Sequence, residues 1–132
     1  MKQGITKILF GGLMLTYLLI TGCGNNGPTE PLNNYNVTFQ ISQRINPSGS
    51  VQFIFKPSAD AKISSVVSRY RAEQFTDSLV YGNPDYIYSK DSAYIINNYT
   101  GVTQGQQWQF EFTGKAPAAN NTYKVTTDYT VQ

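Results

Sequence analysis

Cys23 is the one thiol in the chain, and histidine is absent altogether. These two counts confine the chemistry. A thiolate is the strongest side-chain nucleophile near neutral pH, so Cys23 is the residue best able to form a covalent bond. Without histidine there is no imidazole general base, no Ser-His-Asp arrangement and no His ligand for zinc. Carboxylates remain: Asp60, Asp77, Asp85 and Asp91 fall in or near predicted loops. A glycosidase pair would have to face each other about 5 to 9.5 Å apart across a cleft, and their spacing arranges nothing of the kind. Asn83, Asp85 and Asp91 offer the oxygen ligands that calcium takes, but no Asp-x-Asp spacing accompanies them. No strand-to-helix glycine loop is present to cradle a phosphate. The expectation is a chain that is not an enzyme and that holds no metal and no cofactor.

Tyrosine is the other notable type, at ten residues beside seven Phe and one Trp. Tyr gives flat contact area at low entropic cost and is favoured on binding surfaces. Tyr70, Tyr81, Tyr86, Tyr88 and Tyr99 fall near strand ends or on faces that the sequence pattern does not assign. They are the candidate binding residues, for stacking on a sugar or contacting a protein. The alternative is edge-strand Tyr that only covers a sheet. Asp77-Ser78-Leu79 and Asp91-Ser92-Ala93 resemble the O-glycosylation motif of periplasmic proteins in some Gram-negative bacteria. That resemblance makes Ser78 and Ser92 candidate acceptors.

On the N-terminal side of Cys23, Lys2 and Lys7 precede an uncharged run from Ile8 to Ile20, which leads into Ile20-Thr21-Gly22-Cys23. The run is shorter than the roughly 20 apolar residues of a membrane span, and Gly11, Gly12, Thr16 and Tyr17 dilute it. A basic start, a short apolar stretch and small residues at the end are the anatomy of an export signal. The last four residues resemble the lipobox of bacterial lipoproteins, with Ile20 where Leu is more usual. The resemblance covers about the first fifth of the chain. It implies cleavage between Gly22 and Cys23, diacylglycerol on the Cys23 sulfur and stable membrane anchoring through two or three acyl chains. Gly24, in place of the Asp that retains some Gram-negative lipoproteins at the inner membrane, is compatible with the outer membrane. Residues 1–22 are thus expected to be signal, and 23–34, rich in Gly, Asn and Pro, a lipidated Cys and flexible tether of about 18 Å reach.

The full chain has ten basic and eight acidic groups. Lys2 and Lys7 belong to the signal, so the remainder has as many basic as acidic groups. Nucleic acid is not an expected partner, because displacing its counterions needs a basic face. No polybasic patch assists the lipid. With Cys23 consumed, no disulfide is available, and a domain of about 100 residues must fold on apolar burial.

From residue 35 to 132 the pattern has period two, the signature of half-buried strands. Tyr35, Val37, Phe39 and Ile41 alternate with polar residues, as do Trp108, Phe110 and Phe112, and again Tyr123, Val125, Thr127, Tyr129 and Val131. Asn46-Pro47-Ser48-Gly49 and Gly82-Asn83-Pro84-Asp85 are turns. A loop is predicted from Gly114 to Asn121, a weak strand from Phe75 to Tyr81, and only a short helical tendency from Ser68 to Gln74. About seven short strands at turn spacings of 8 to 12 residues predict an all-β, antiparallel β-sandwich, with a small antiparallel β-barrel as the alternative. The Trp108-x-Phe110-x-Phe112 row and Asn121-Thr122-Tyr123-x-Val125 loosely resemble immunoglobulin-like and fibronectin-type modules of bacterial surface proteins. The Cys pair of antibody domains is absent. In that resemblance Tyr123 would be the tyrosine-corner residue.

The expected function is a lipid-anchored, non-catalytic envelope module binding a protein or glycan. The alternative is a structural or assembly lipoprotein that docks through an edge strand. Three or more exposed aromatics on one face would favour the first, and an uncovered, uncharged edge strand the second.

Overall fold

The alternating stretches become eight strands in a computed structural model that describes residues 35–119 and 121–132. The signal, Cys23 and the tether lie outside the described residues. The strands are β1 (Phe39–Ile45), β2 (Val51–Pro57), β3 (Ala61–Tyr70), β4 (Phe75–Val80), β5 (Ile87–Tyr88), β6 (Tyr94–Tyr99), β7 (Gln107–Lys115) and β8 (Thr122–Thr130). All pairings are antiparallel. One sheet has three strands in the order β1-β2-β6. The other has five, in the order β4-β3-β7-β8, with β5 also on β3. The two sheets pack as a sandwich compatible with an immunoglobulin-like arrangement. They share no strand among the described residues, so the barrel alternative is set aside.

Aromatic rings fill the space between the sheets. Phe39 stacks on Phe112 at 3.9 Å, Phe53 meets Phe110 at 5.0 Å edge-on, and Phe55 meets Phe112 at 5.2 Å. Each pair joins one sheet to the other, in the offset or tilted geometries that aromatic quadrupoles prefer. Trp108 is buried between Phe53 and Tyr99, at centroid distances of 5.0 and 5.1 Å, as the inward row in its strand requires.

Several local expectations are met and others are corrected. Gly49 closes the Asn46 turn with φ 89, and its N–H donates to the Asn46 carbonyl at 2.8 Å. The Ser68–Gln74 tendency becomes a single 3-10 turn, Arg71–Glu73, ended by Gln74 at φ 55. The β1 ladder starts at Phe39, later than the alternation, because its partner β2 ends in Pro57, which has no N–H. Ser58 takes over there, its Oγ accepting from the Thr38 N–H at 2.8 Å.

The predicted loop from Gly114 is corrected: β7 runs through Gly114 to Lys115. A strand tolerates glycine here because a Cβ on Gly114 would lie 1.9 Å from the Lys62 carbonyl oxygen and 2.5 Å from the Tyr123 hydroxyl. That hydroxyl donates to the Lys62 carbonyl at 2.6 Å, across the empty glycine face. Tyr123 is therefore not a tyrosine-corner residue, whose bond returns to backbone a few residues upstream. It ties β8 to β3 instead.

Candidate functional site

The five candidate tyrosines do not form one patch. Tyr81, Tyr86 and Tyr88 converge at one end of the five-stranded sheet. Tyr70 and Tyr99 lie at the other. Tyr88 pairs with Ala61, the first residue of β3, whereas Tyr70 is its last. Ten strand residues at about 3.3 Å each separate the two groups by about 30 Å.

The first group is built by an interrupted edge. β4 runs beside β3 from Tyr70 back to Ser65 and then leaves it. Residues 81–86 loop out, and β5 rejoins β3 opposite Lys62 and Ala61. The Tyr81 N–H donates to the Ser64 carbonyl at 3.0 Å, which holds the exit of the loop. Within the loop Asn83 Oδ1 accepts from the Asp85 N–H at 3.1 Å, an Asx turn of the kind Gly-Asn-Pro-Asp favours. Lys62 Nζ reaches Asp85 at 3.6 Å, but the carboxylate is so exposed that the pair adds little.

A fourth residue, Tyr94 at the start of β6, completes the group. Tyr88 is its centre, with ring centroids 5.7 Å from Tyr81, 4.8 Å from Tyr86 and 4.9 Å from Tyr94. Tyr88 and Tyr94 rest on buried Phe55 at 5.7 and 5.5 Å, so their ring positions are fixed by the core. The four rings, with Gly82 and Asn83, line an open cleft of about 340 Å³. Tyr86 and its neighbour Ile87 are exposed, at 48% and 47%. Burial pushes the Tyr81 phenol up to about 12, with Tyr88 reinforcing it. Burial raises Tyr88 too, helped by Tyr86 and Tyr94. Both hydroxyls are therefore neutral at physiological pH; that of Tyr88 can hydrogen-bond at the rim of the cleft, whereas that of Tyr81 is shielded from solvent. The cleft has no nucleophile with an adjacent base. It can stack and hydrogen-bond.

Sequence alternation placed Tyr94 in a short apolar run and left it out of the candidate set. Its position follows from β6 pairing with β2, a contact between distant segments. The signal that would have found it is the clustering of Tyr86, Tyr88 and Tyr94 within nine residues.

Tyr99 is a core residue, 9% exposed. Its hydroxyl donates to Asp77 Oδ2 at 2.7 Å, and Asn97 Nδ2 donates to the same oxygen at 3.1 Å. These bonds link β6 to β4 across the open side of the sandwich, a positioning role that leaves no free ring. Its phenol is raised by burial foremost. Tyr70 is half-buried, with its ring parallel to Trp108 at 5.5 Å and 10°.

The remaining candidates are scattered. Asp60 Oδ1 accepts from the Lys90 N–H at 2.9 Å, Asp77 is held by Tyr99 and Asn97, and Asp85 faces Lys62. Asp91 lies in a shallow depression beside Lys56 and Lys90. Among the described residues, no three His, Cys, Asp or Glu side chains are grouped to hold a metal ion. Ser78 and Ser92 are both exposed, the first on β4 and the second in the turn before β6. No helix among the described residues is long and apolar enough to cross a membrane. Comparison with known protein families, with curated proteins and with solved structures finds no match to this chain.

Proposed function

We propose that this chain is an exported, lipid-anchored and non-catalytic binding module of a bacterial envelope. Its tyrosine cleft is the contact for an envelope protein or glycan. The cleft carries the binding half of the reading: four Tyr rings, two of them held from beneath by Phe55 and one beside exposed Ile87, converge from three separate segments. Rigid aromatic surface with polar tips is what binding faces enrich. The Ile20-Thr21-Gly22-Cys23 sequence supports the anchoring half, with lipid on Cys23 as the membrane attachment. In a Gram-negative host the outer membrane is the favoured location, given Gly24.

Docking through an edge strand is the alternative, and β1, β6 and β8 are sheet edges besides the β4–β5 edge. The β4–β5 edge is short, is broken by the loop at 81–86, and turns Asp77 inward. Those features discourage the addition of a foreign strand.

Two measurements test the proposal. Metabolic labelling with a fatty-acid analogue should tag the wild-type chain and not Cys23→Ala. Equal labelling of both would exclude the anchor. Host envelope fragments should bind the wild-type chain and lose it with Tyr86→Ala plus Ile87→Ser, two exposed positions whose change leaves the core intact. Protease treatment of the fragments then separates a protein partner from a glycan. Undiminished binding by the double variant would remove the cleft from the function.

A further inference from the structure

The end of the sandwich opposite the tyrosine cleft carries a second site of different chemistry. Two cavities of about 580 and 240 Å³ adjoin there and share Tyr70, Gln106 and Trp108 as lining. The larger falls within the usual range for small-molecule sites. Its apolar wall is Tyr70, a half-buried ring parallel to the buried Trp108 and therefore held at a fixed angle. Phe75, the β4 partner of Tyr70, also meets Trp108 edge-on at 5.7 Å.

The polar wall is a relay of planar side chains. Arg71 Nη2 donates to Gln109 Oε1 at 3.1 Å, and Gln109 Nε2 donates to Asp128 Oδ1 at 3.2 Å. The relay leaves the rest of the guanidinium as donor at one end and the second carboxylate oxygen as acceptor at the other. Gln106 is fixed beside it, accepting from Trp108 Nε1 at 3.0 Å and donating to the Gly101 carbonyl at 3.3 Å.

A donor and an acceptor set apart on a rigid relay match neighbouring hydroxyls, since each hydroxyl both gives and accepts a hydrogen bond. A ring lining the same groove matches the C–H face of a pyranose, whose positive C–H edges meet the negative π-face of Tyr70. Arg71 and Asp128 oppose each other in charge, and no basic cluster is present to select a phosphate. We propose that this groove binds a neutral saccharide chain, with Tyr70 as the stacking platform and Arg71 and Asp128 on the hydroxyls. The site lies at the opposite end of β3 from the tyrosine cleft and does not rest on it.

Trp108, the only tryptophan, lies beneath the groove and reports on it. The full chain, in a non-glycosidic detergent, is titrated with hexasaccharides of glucose, mannose, galactose, xylose and N-acetylglucosamine, and with hexagalacturonate. Trp emission and calorimetry are the two readouts. At least one neutral hexamer should give saturable binding. Tyr70→Ala and Asp128→Ala should each weaken it roughly tenfold or more, with the circular dichroism spectrum kept, while Lys56→Ala, an exposed β2 position outside both sites, leaves it unchanged. If Tyr70→Ala fails to fold, exposed Asp128→Asn carries the decision. Absence of saturable binding in both readouts, wild-type affinity in the groove variants, or a preference for hexagalacturonate over every neutral chain would overturn the proposal.

Discussion

Tyr81 carries a hydroxyl that is shielded from solvent and has no hydrogen-bond partner. Leaving a polar group unsatisfied costs roughly 1 to 3 kcal/mol, so Tyr81→Phe should stabilise the domain by about 1 kcal/mol, read as a higher denaturation midpoint. A lower midpoint would show that the hydroxyl is satisfied. The same group sets an alkaline limit. Its folded value is near 12 against an ordinary 10.0, with burial as the first cause. Between those values the unfolded chain has released the phenol proton and the folded chain still holds it. The unfolded state then binds fewer protons, so stability falls as pH rises. The contribution is fully present below pH 10 and is gone above about 12. Tyr99 and Tyr123 are raised by burial in the same sense and steepen the fall. Melting temperatures should hold steady to about pH 10 and then drop, less steeply in Tyr81→Phe than in wild type. A pH-independent melting temperature up to 12 would refute the assignment. Legibility is uneven at this scale. The identity of the binding candidates followed from residue type, but which tyrosines are free did not. Tyr99 is consumed by Asp77 across the sandwich, and only the fold brings those two together.

Among the elements, β7 pairs with β3 on one side and along its whole length with β8 on the other, and it holds the least obvious constraint. Gly114 sits where the Tyr123 hydroxyl crosses to the Lys62 carbonyl. Gly114→Ala has nowhere to place its methyl, because the nearest obstructing atom, the Lys62 carbonyl oxygen, is backbone. Overpacking costs about 1 to 3 kcal/mol and a lost buried hydrogen bond about as much again, so a loss of roughly 3 kcal/mol is expected. Chemical denaturation of the variant checks it, and a change under about 0.5 kcal/mol, the usual size of a surface effect, would contradict the geometry. The strands themselves were largely legible, since period two is visible wherever one face is buried. Face assignment failed where a bulge intervenes. In β3 the register shifts between Ile63 and Ser65, so Ala61 and Ile63 point inward and then Val66, Ser68 and Tyr70 do. In β6 the shift lies opposite Phe53 and Ile54, and Ile96 is the extra residue. Inserting one residue flips every later side chain, which is why Tyr70 and Tyr99 had no assignable face.

For the whole molecule, the sandwich is built with the means available to a chain that has no disulfide: aromatic burial and cross-sheet bonds. Residues 35–119 and 121–132 belong to one compact unit. Its open sides are tied at β4 to β6 by Asp77, and at β1 to β8 by Gln43, whose Oε1 accepts from Tyr129 at 3.0 Å and from the Gln132 N–H at 2.9 Å. Removing residues 1–34 should therefore leave a monomeric all-β domain with one reversible melting transition. A chelator should not move that transition, because the described residues group no metal ligands. The balance of acidic and basic groups works against solubility at low salt, where a near-zero net charge favours association. The exposed residues Val80, Tyr86, Ile87 and Ile95 add to that tendency. Sedimentation at several concentrations, alongside circular dichroism with and without chelator, separates the outcomes. A β spectrum with concentration-dependent association broken by Ile87→Ser would leave the fold autonomous and point to this apolar side as the sticky surface. A disordered spectrum would mean that the sandwich is completed by a partner strand, and would move the function towards assembly.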